Sequence, residues 1–102
     1  MPRRNKKGRA KPNERAIKWE VWRDMTRNQI GHAAGYLCHY CGRKTKRNVA
    51  QSDLLAFTVD HMTPRCRGGR WNRENLCCCC RECNNAKGKM TAEEFVATRK
   101  TG

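Results

Sequence analysis

Two CxxC pairs, Cys38-His39-Tyr40-Cys41 and Cys80-Arg81-Glu82-Cys83, stand 38 residues apart in a chain of 102. Each tight turn offers two thiolates, and two such turns complete a tetrahedral all-sulfur set, the closed geometry of a structural zinc site. With no ligand position left for water, such a zinc holds structure and does no chemistry. A staple of this kind is needed here. The apolar fraction is 37%, below the ~45–50% of ordinary soluble domains, which allows one domain with a thin core. The unbroken run Cys77-Cys78-Cys79-Cys80 leaves the register open, because Cys77-x-x-Cys80 is also a CxxC. Under the register Cys38, Cys41, Cys80 and Cys83, the remaining Cys66, Cys77, Cys78 and Cys79 are expected to be small buried hydrophobes.

Charge is the second bound. Lys and Arg number 23 against 9 Asp and Glu, a formal net charge of +14. A chain this basic is drawn to polyanions, because each phosphate it neutralises releases condensed counterions. Nucleic acid is therefore the first partner to expect. No membrane partner is expected: no basic amphipathic helix is long enough, and the longest apolar run, Leu54 to Phe57, cannot cross a bilayer. Met1-Pro2-Arg3-Arg4 leads into further charge rather than an export signal, so a cytoplasmic, reducing setting is expected, in which cysteines bind metal rather than pair. Residues 1–18 hold eight Lys and Arg against one acid, Glu14. Such a run cannot bury enough apolar surface to fold alone, so residues 1–13 read as a disordered basic arm, with a solvated tail as the plainer alternative.

Ile17, Val21 and Met25 recur every four positions, which predicts an amphipathic helix from Glu14 to Asn28. Trp19 and Trp22 flank that stripe, and packing over the zinc knuckle is their expected use, with base stacking as the alternative. Leu55, Phe57 and Val59 alternate with Ala56 and Thr58, a strand ending at Asp60-His61. Pro64 to Gly69 is a basic loop. A helix is expected from Asn72 to Lys87, stopped by Gly88, and Thr91-Ala92-Glu93-Glu94 is a capping box opening a last short helix.

A simple zinc ribbon separates its pairs by roughly 15–20 residues. The longer insert here carries polar chemistry. Cleaving a phosphodiester needs a base for water, a cation for the leaving oxygen, and groups that hold both in line. Asp60-His61 offers a hard oxygen ligand beside an imidazole, and Asn75 and Asn84 follow on the expected helix.

The run from Cys38 to Lys87 resembles the HNH endonuclease domain. The likeness is carried by Cys38-His39-Tyr40-Cys41-Gly42, Val59-Asp60-His61-Met62-x-Pro64, Gly68-Gly69, Asn72, Asn75-Leu76 and Cys80-Arg81-Glu82-Cys83-Asn84-Asn85-Ala86-Lys87-Gly88. Met90 to Phe95 is similar to a common extension of that family. The resemblance implies an α+β fold: a small zinc-stabilised ββα-metal domain over residues 14–102, with a helix on each side and the basic arm ahead of it. It also chooses the zinc register, since Asn75-Leu76 aligns Cys80 and Cys83 as the ligands beside Cys38 and Cys41.

Carried over by position, the resemblance implies that Asp60 binds a catalytic divalent ion and that His61 is the general base. Asn75 would hold the active-site loop or orient the imidazole. Asn84, where many relatives have histidine, would be the second ligand of that ion, with Asn85 as the neighbouring alternative. An amide oxygen is harder than imidazole, which tilts the preference towards magnesium or manganese. Arg65, Arg67, Arg70, Arg73 and Lys87 are expected on phosphates, with solvated charge as the alternative. DNA is favoured over RNA by the resemblance alone, and a monomer or weak dimer is expected. Compact proteins of this kind resemble those of bacteriophages, which implies phage packaging proteins as further partners and a host bacterial cytoplasm. Two other classes remain open at this stage: a non-catalytic zinc module that binds nucleic acid, and a structural RNA-associated protein.

Overall fold

The cysteine run is where sequence pattern and structure part. The computed structural model describes residues 12–100, so residues 1–11 of the expected basic arm lie outside the described residues. In chain order the elements are α1 (Pro12–Ala33), β1 (Phe57–His61), single 3-10 turns at Arg65–Arg67 and Arg73–Asn75, β2 (Leu76–Cys80), α2 (Arg81–Lys87) and α3 (Ala92–Lys100). The helix expected from Asn72 to Lys87 is thus three elements. Asn72 does cap, accepting a hydrogen bond from the Asn75 N–H, but only onto one 3-10 turn. Leu76–Cys80 then runs as a strand whose five residues are all buried. Burying five consecutive side chains requires a strand between two covering layers, because a helix would turn some of them to solvent.

β1 and β2 pair antiparallel, from Phe57 opposite Cys80 to His61 opposite Leu76. Side chains alternate across this two-stranded sheet. Leu76 and Cys78 join Ile30 of α1 in one buried cluster, with Phe57, Val59 and Trp71 packed against it. Cys79, Cys80 and Cys83 join Cys38 and Phe95 in the other, with Tyr40, Leu55 and Met90 at its margin. The chain is therefore a small α+β fold with a ββα succession, as expected. The Leu55–Phe57–Val59 alternation misplaces the burial on β1: Ala56, Thr58 and Asp60 are buried, while Phe57 and Val59 are only partly so.

α1 is longer than its apolar stripe suggested, and that stripe is not what packs. Val21 and Met25 are solvent-exposed, whereas Thr26 and Ile30 are buried. A five-residue strand is only ~17 Å long, while a 22-residue helix runs ~33 Å, so only the C-terminal part of α1 can lie on the sheet. Trp19 and Trp22 accordingly do not cover the zinc knuckle. Both are exposed, and their rings meet each other at 5.1 Å.

The remaining boundaries follow local chemistry. Cys80 caps α2 through its sulfur, which accepts the Cys83 N–H at 3.5 Å, and Gly88 ends that helix at φ 53. The capping box at α3 forms as expected: Glu94 N–H donates to Thr91 Oγ1 at 3.2 Å, and Thr91 N–H donates to Glu94 Oε1 at 3.1 Å. Among the described residues no helix is long and apolar enough to cross a membrane.

The apolar anchor of α3 is Phe95. Phe95 is 3% exposed and meets Tyr40 edge-on at 5.1 Å. Phe95→Ala is expected to cost about 3–5 kcal/mol in urea unfolding of the zinc-loaded protein, against less than ~0.5 kcal/mol for exposed Leu54→Ala.

Candidate functional site

The zinc-binding half of the site begins with a turn. Leu37 and Lys44 bridge, Cys38 N–H donates to Arg43 O at 2.8 Å, and Gly42 lies at φ 79, which folds Cys38–Cys41 into a knuckle. Tyr40 and Cys41 N–H groups then point at Cys38 Sγ, at 3.4 and 3.5 Å. Cys83 N–H does the same to Cys80 Sγ. The four sulfurs of Cys38, Cys41, Cys80 and Cys83 lie within 4.8 Å of one another, and those of Cys41 and Cys80 are 3.8 Å apart. Bonds of ~2.3 Å to a tetrahedral zinc demand a sulfur spacing of about 3.8 Å, so this donor set fits the ion.

Four thiolates around a divalent ion leave a surplus of negative charge, and two guanidinium groups answer it. Arg43 Nε donates to Cys41 Sγ and Arg99 Nη1 to Cys83 Sγ, each at 3.2 Å. Arg43 is held in turn by Glu82. Burial works to raise the Cys41 thiol, but Arg43 outweighs it and brings the group down to about 6. Burial pushes Cys83 up to about 12 against the opposing pull of Arg99, and metal binding would displace its proton. The competing register is absent. Cys77 points to the other end of the sheet, with its sulfur 3.9 Å from Asp60 Oδ2. Cys77, Cys78 and Cys79 are buried as expected, but Cys66 is exposed, because its 3-10 turn buries no residue.

The polar half of the site is built on the end of β1. Asp60 is buried, and its Oδ2 accepts the Tyr40 hydroxyl at 2.7 Å and faces Lys87 Nζ at 3.3 Å. The same ammonium donates to the His61 carbonyl at 2.8 Å. Lys87, expected on a phosphate, is instead 1% exposed. A carboxylate this buried needs a compensating cation, and the last turn of α2 supplies it from within. Burial, and then the bond to Asp60, push the Tyr40 hydroxyl far above its ordinary range.

Successive residues of a strand face opposite ways, so His61 lies on the other face from Asp60. Its ring meets Trp71 edge-on at 5.5 Å, and its Nε2 is buried without a hydrogen-bond partner. Burial holds the imidazole below its ordinary 6.5, and Arg65 and Lys87 push the same way against the opposing pull of Asp60. On the Asp60 face, Asn84 Nδ2 donates to Thr58 Oγ1 at 3.0 Å, while Asn85 is exposed. Beside β1, away from β2, Lys46 pairs only with Ala56; beyond Phe57 that edge is open among the described residues.

Asn75 closes the loop that follows His61. Its Oδ1 accepts Thr63 N–H at 2.8 Å, its Nδ2 donates to Thr63 O and Arg70 O, both at 3.0 Å, and its carbonyl accepts Met62 N–H. These bonds hold the loop; none reaches the imidazole. Gly69 is required by the same closure, since a Cβ there would stand 1.7 Å from Thr63 O. The loop arginines Arg65, Arg67, Arg70 and Arg73 are all exposed. Arg67 forks onto Glu94 at 2.6 and 3.2 Å, and Arg73 donates to Gln29 at 3.3 Å, so both tie loops to helices.

Tyr40, Trp71, Arg43 and Arg99 carry no motif signal, yet they line the sulfurs, the carboxylate and the imidazole. The one cue was position: Tyr40 lies inside the first CxxC, and Trp71 follows the Gly68-Gly69 pair. A family model described as HNH endonuclease matches residues 38–90, just over half the chain, and takes in both cysteine pairs with Asp60, His61, Asn75 and Asn84. No curated protein matches the chain.

The geometry predicts one zinc per chain, lost in Cys80→Ser and retained in Cys77→Ser. Zinc released to a colorimetric chelator on thiol modification checks this, and loss of metal from Cys77→Ser would move the register.

Proposed function

The chain belongs to the HNH endonuclease family, and on that premise we propose that it hydrolyses phosphodiester bonds in DNA, with His61 as general base and a divalent ion held by Asp60 and Asn84. The observation that carries this reading is the state of His61. Its imidazole is held below its ordinary range, so it is neutral near pH 7 and free to accept a proton. With Nε2 sealed inside the fold, Nδ1 is the nitrogen left to take that proton from the attacking water. Trp71 restricts the ring from one side.

The donors on the Asp60 face suit a hard cation. Tyr40 and Lys87 engage Oδ2 of Asp60, which leaves Oδ1, and Thr58 engages Nδ2 of Asn84, which leaves its amide oxygen. Two such oxygens match magnesium or manganese, ions that complete their shells with water and substrate phosphate. When bound, the ion stabilises charge on the phosphate and the leaving oxygen. Asn75 is a positioning residue, acting through the loop it closes. Lys87 is another, since it bridges the Asp60 carboxylate and the His61 backbone.

One observation favours a second reading. The Lys87 ammonium already stands at the carboxylate that would hold the ion, which suits a zinc module that binds nucleic acid without cutting it.

The deciding experiment incubates zinc-loaded protein with supercoiled plasmid and magnesium or manganese, with wild type beside His61→Ala. Wild type nicks or linearises the plasmid, EDTA stops it, and His61→Ala slows it by about 10²–10⁴-fold. The rate rises with pH as the imidazole loses its proton. Because its pKa is lowered, the midpoint of that rise lies below the ordinary 6.5; positive charge added at Asp60 shifts it the same way. A midpoint above 7, or equal cutting by His61→Ala, contradicts the base assignment. Plasmid shifted but uncut by both proteins establishes the binding module.

A further inference from the structure

We propose that the basic cavity between α1 and the open edge of β1 is a phosphate-binding groove for the DNA backbone beside the bond to be cut. The cavity measures about 660 Å³ and draws Arg23 and Arg27 from α1, Lys46 and Arg47 from the segment after the knuckle, and Arg81 from the start of α2. Asp24 is the one carboxylate in its lining.

Two buried donors in its wall lack partners. Arg81 Nε and Trp71 Nε1 are both sealed from water and make no hydrogen bond. A buried donor left unmatched is costly, which marks this wall as short of acceptors. Lys46 pairs with Asp53 at 3.5 Å, and two of the other cations lie against aromatic rings. The Arg27 guanidinium lies 5.3 Å from the Phe57 ring centre, and that of Arg47 lies 4.2 Å from Tyr36, whose hydroxyl it also meets at 3.2 Å.

Five cations from three segments exceed what one phosphate needs, and they suit a strand that presents several. Position supports the same occupant. Trp71 packs on His61, and Thr58, another wall residue, receives the amide of Asn84. A backbone lying in the groove therefore runs beside residues that contact His61 and Asn84. The assignment of its occupant rests on the nuclease reading, and it shifts the main interface from the 65–73 loop, where Arg67 and Arg73 are tied internally, to the α1 side.

The test is the salt dependence of binding between a short fluorescein-labelled duplex and zinc-loaded His61→Ala protein, read by anisotropy without added divalent ion. In that background Arg27→Gln with Arg81→Gln weakens binding at least ~tenfold and makes the slope of log K against log salt shallower by about 2, since each phosphate contact contributes ~0.9. Lys44→Gln, an exposed charge outside the cavity, keeps the parental slope. A parental slope in the double variant, at unchanged zinc content and circular dichroism, overturns the groove. Should the double variant lose zinc or helicity, Arg23→Gln decides: a slope shallower by about 1 supports the groove, and the parental slope overturns it. Wild type that never cuts plasmid, with these slope changes intact, leaves the groove and removes the nuclease. Wild type that cuts, with parental slopes, does the reverse.

Discussion

Four sulfurs that must occupy the corners of one tetrahedron are the constraint on which everything else rests. The apolar clusters on either side of the sheet are small, and several of their members are cysteines. Such a core offsets little of the entropy lost on folding. Joining the Cys38–Cys41 knuckle to the β2–α2 junction closes a long loop and ties its ends where β1 must pass between them. The register of β1 on β2 then puts Asp60 opposite Cys77 and His61 opposite Leu76. The proposed chemistry inherits its position from the staple.

Lys87 shows how a short helix links that staple to the site. α2 begins at the sulfur of Cys80 and ends, seven residues later, with an ammonium buried against Asp60 and the His61 carbonyl. Tyr40, from the first knuckle, reaches the same carboxylate. Both zinc knuckles thus send a side chain to Asp60, and a carboxylate with two fixed partners on one oxygen presents the other in a defined direction.

Much of this was legible in sequence for identifiable reasons. The CxxC pairs are local and spaced for one ion, Asp60-His61 ends an alternating strand, Gly88 stops a helix and Thr91 with Glu94 opens one. The α+β class and the HNH family followed from those features in order. β2 was not legible, because a strand covered on both faces has no alternation, and a run of cysteines has no period of its own. The α1 stripe misled because helix periodicity reports an apolar face, not whether a sheet is long enough to meet it. Lysine is so rarely buried that nothing local marked Lys87, whose partner comes from another element. The orphaned donors of Trp71 and Arg81 exist only once the loop before β2 and the start of α2 reach one cavity.

The dependence of the catalytic edge on the staple is open to direct measurement by amide hydrogen exchange, with the zinc-loaded protein compared to protein stripped by a tight chelator. The account predicts that protection of β1 and β2 collapses as the thiols are freed and returns when zinc is restored. Strands that stay protected with the thiols free would mean that the apolar clusters hold the site by themselves, and would contradict it.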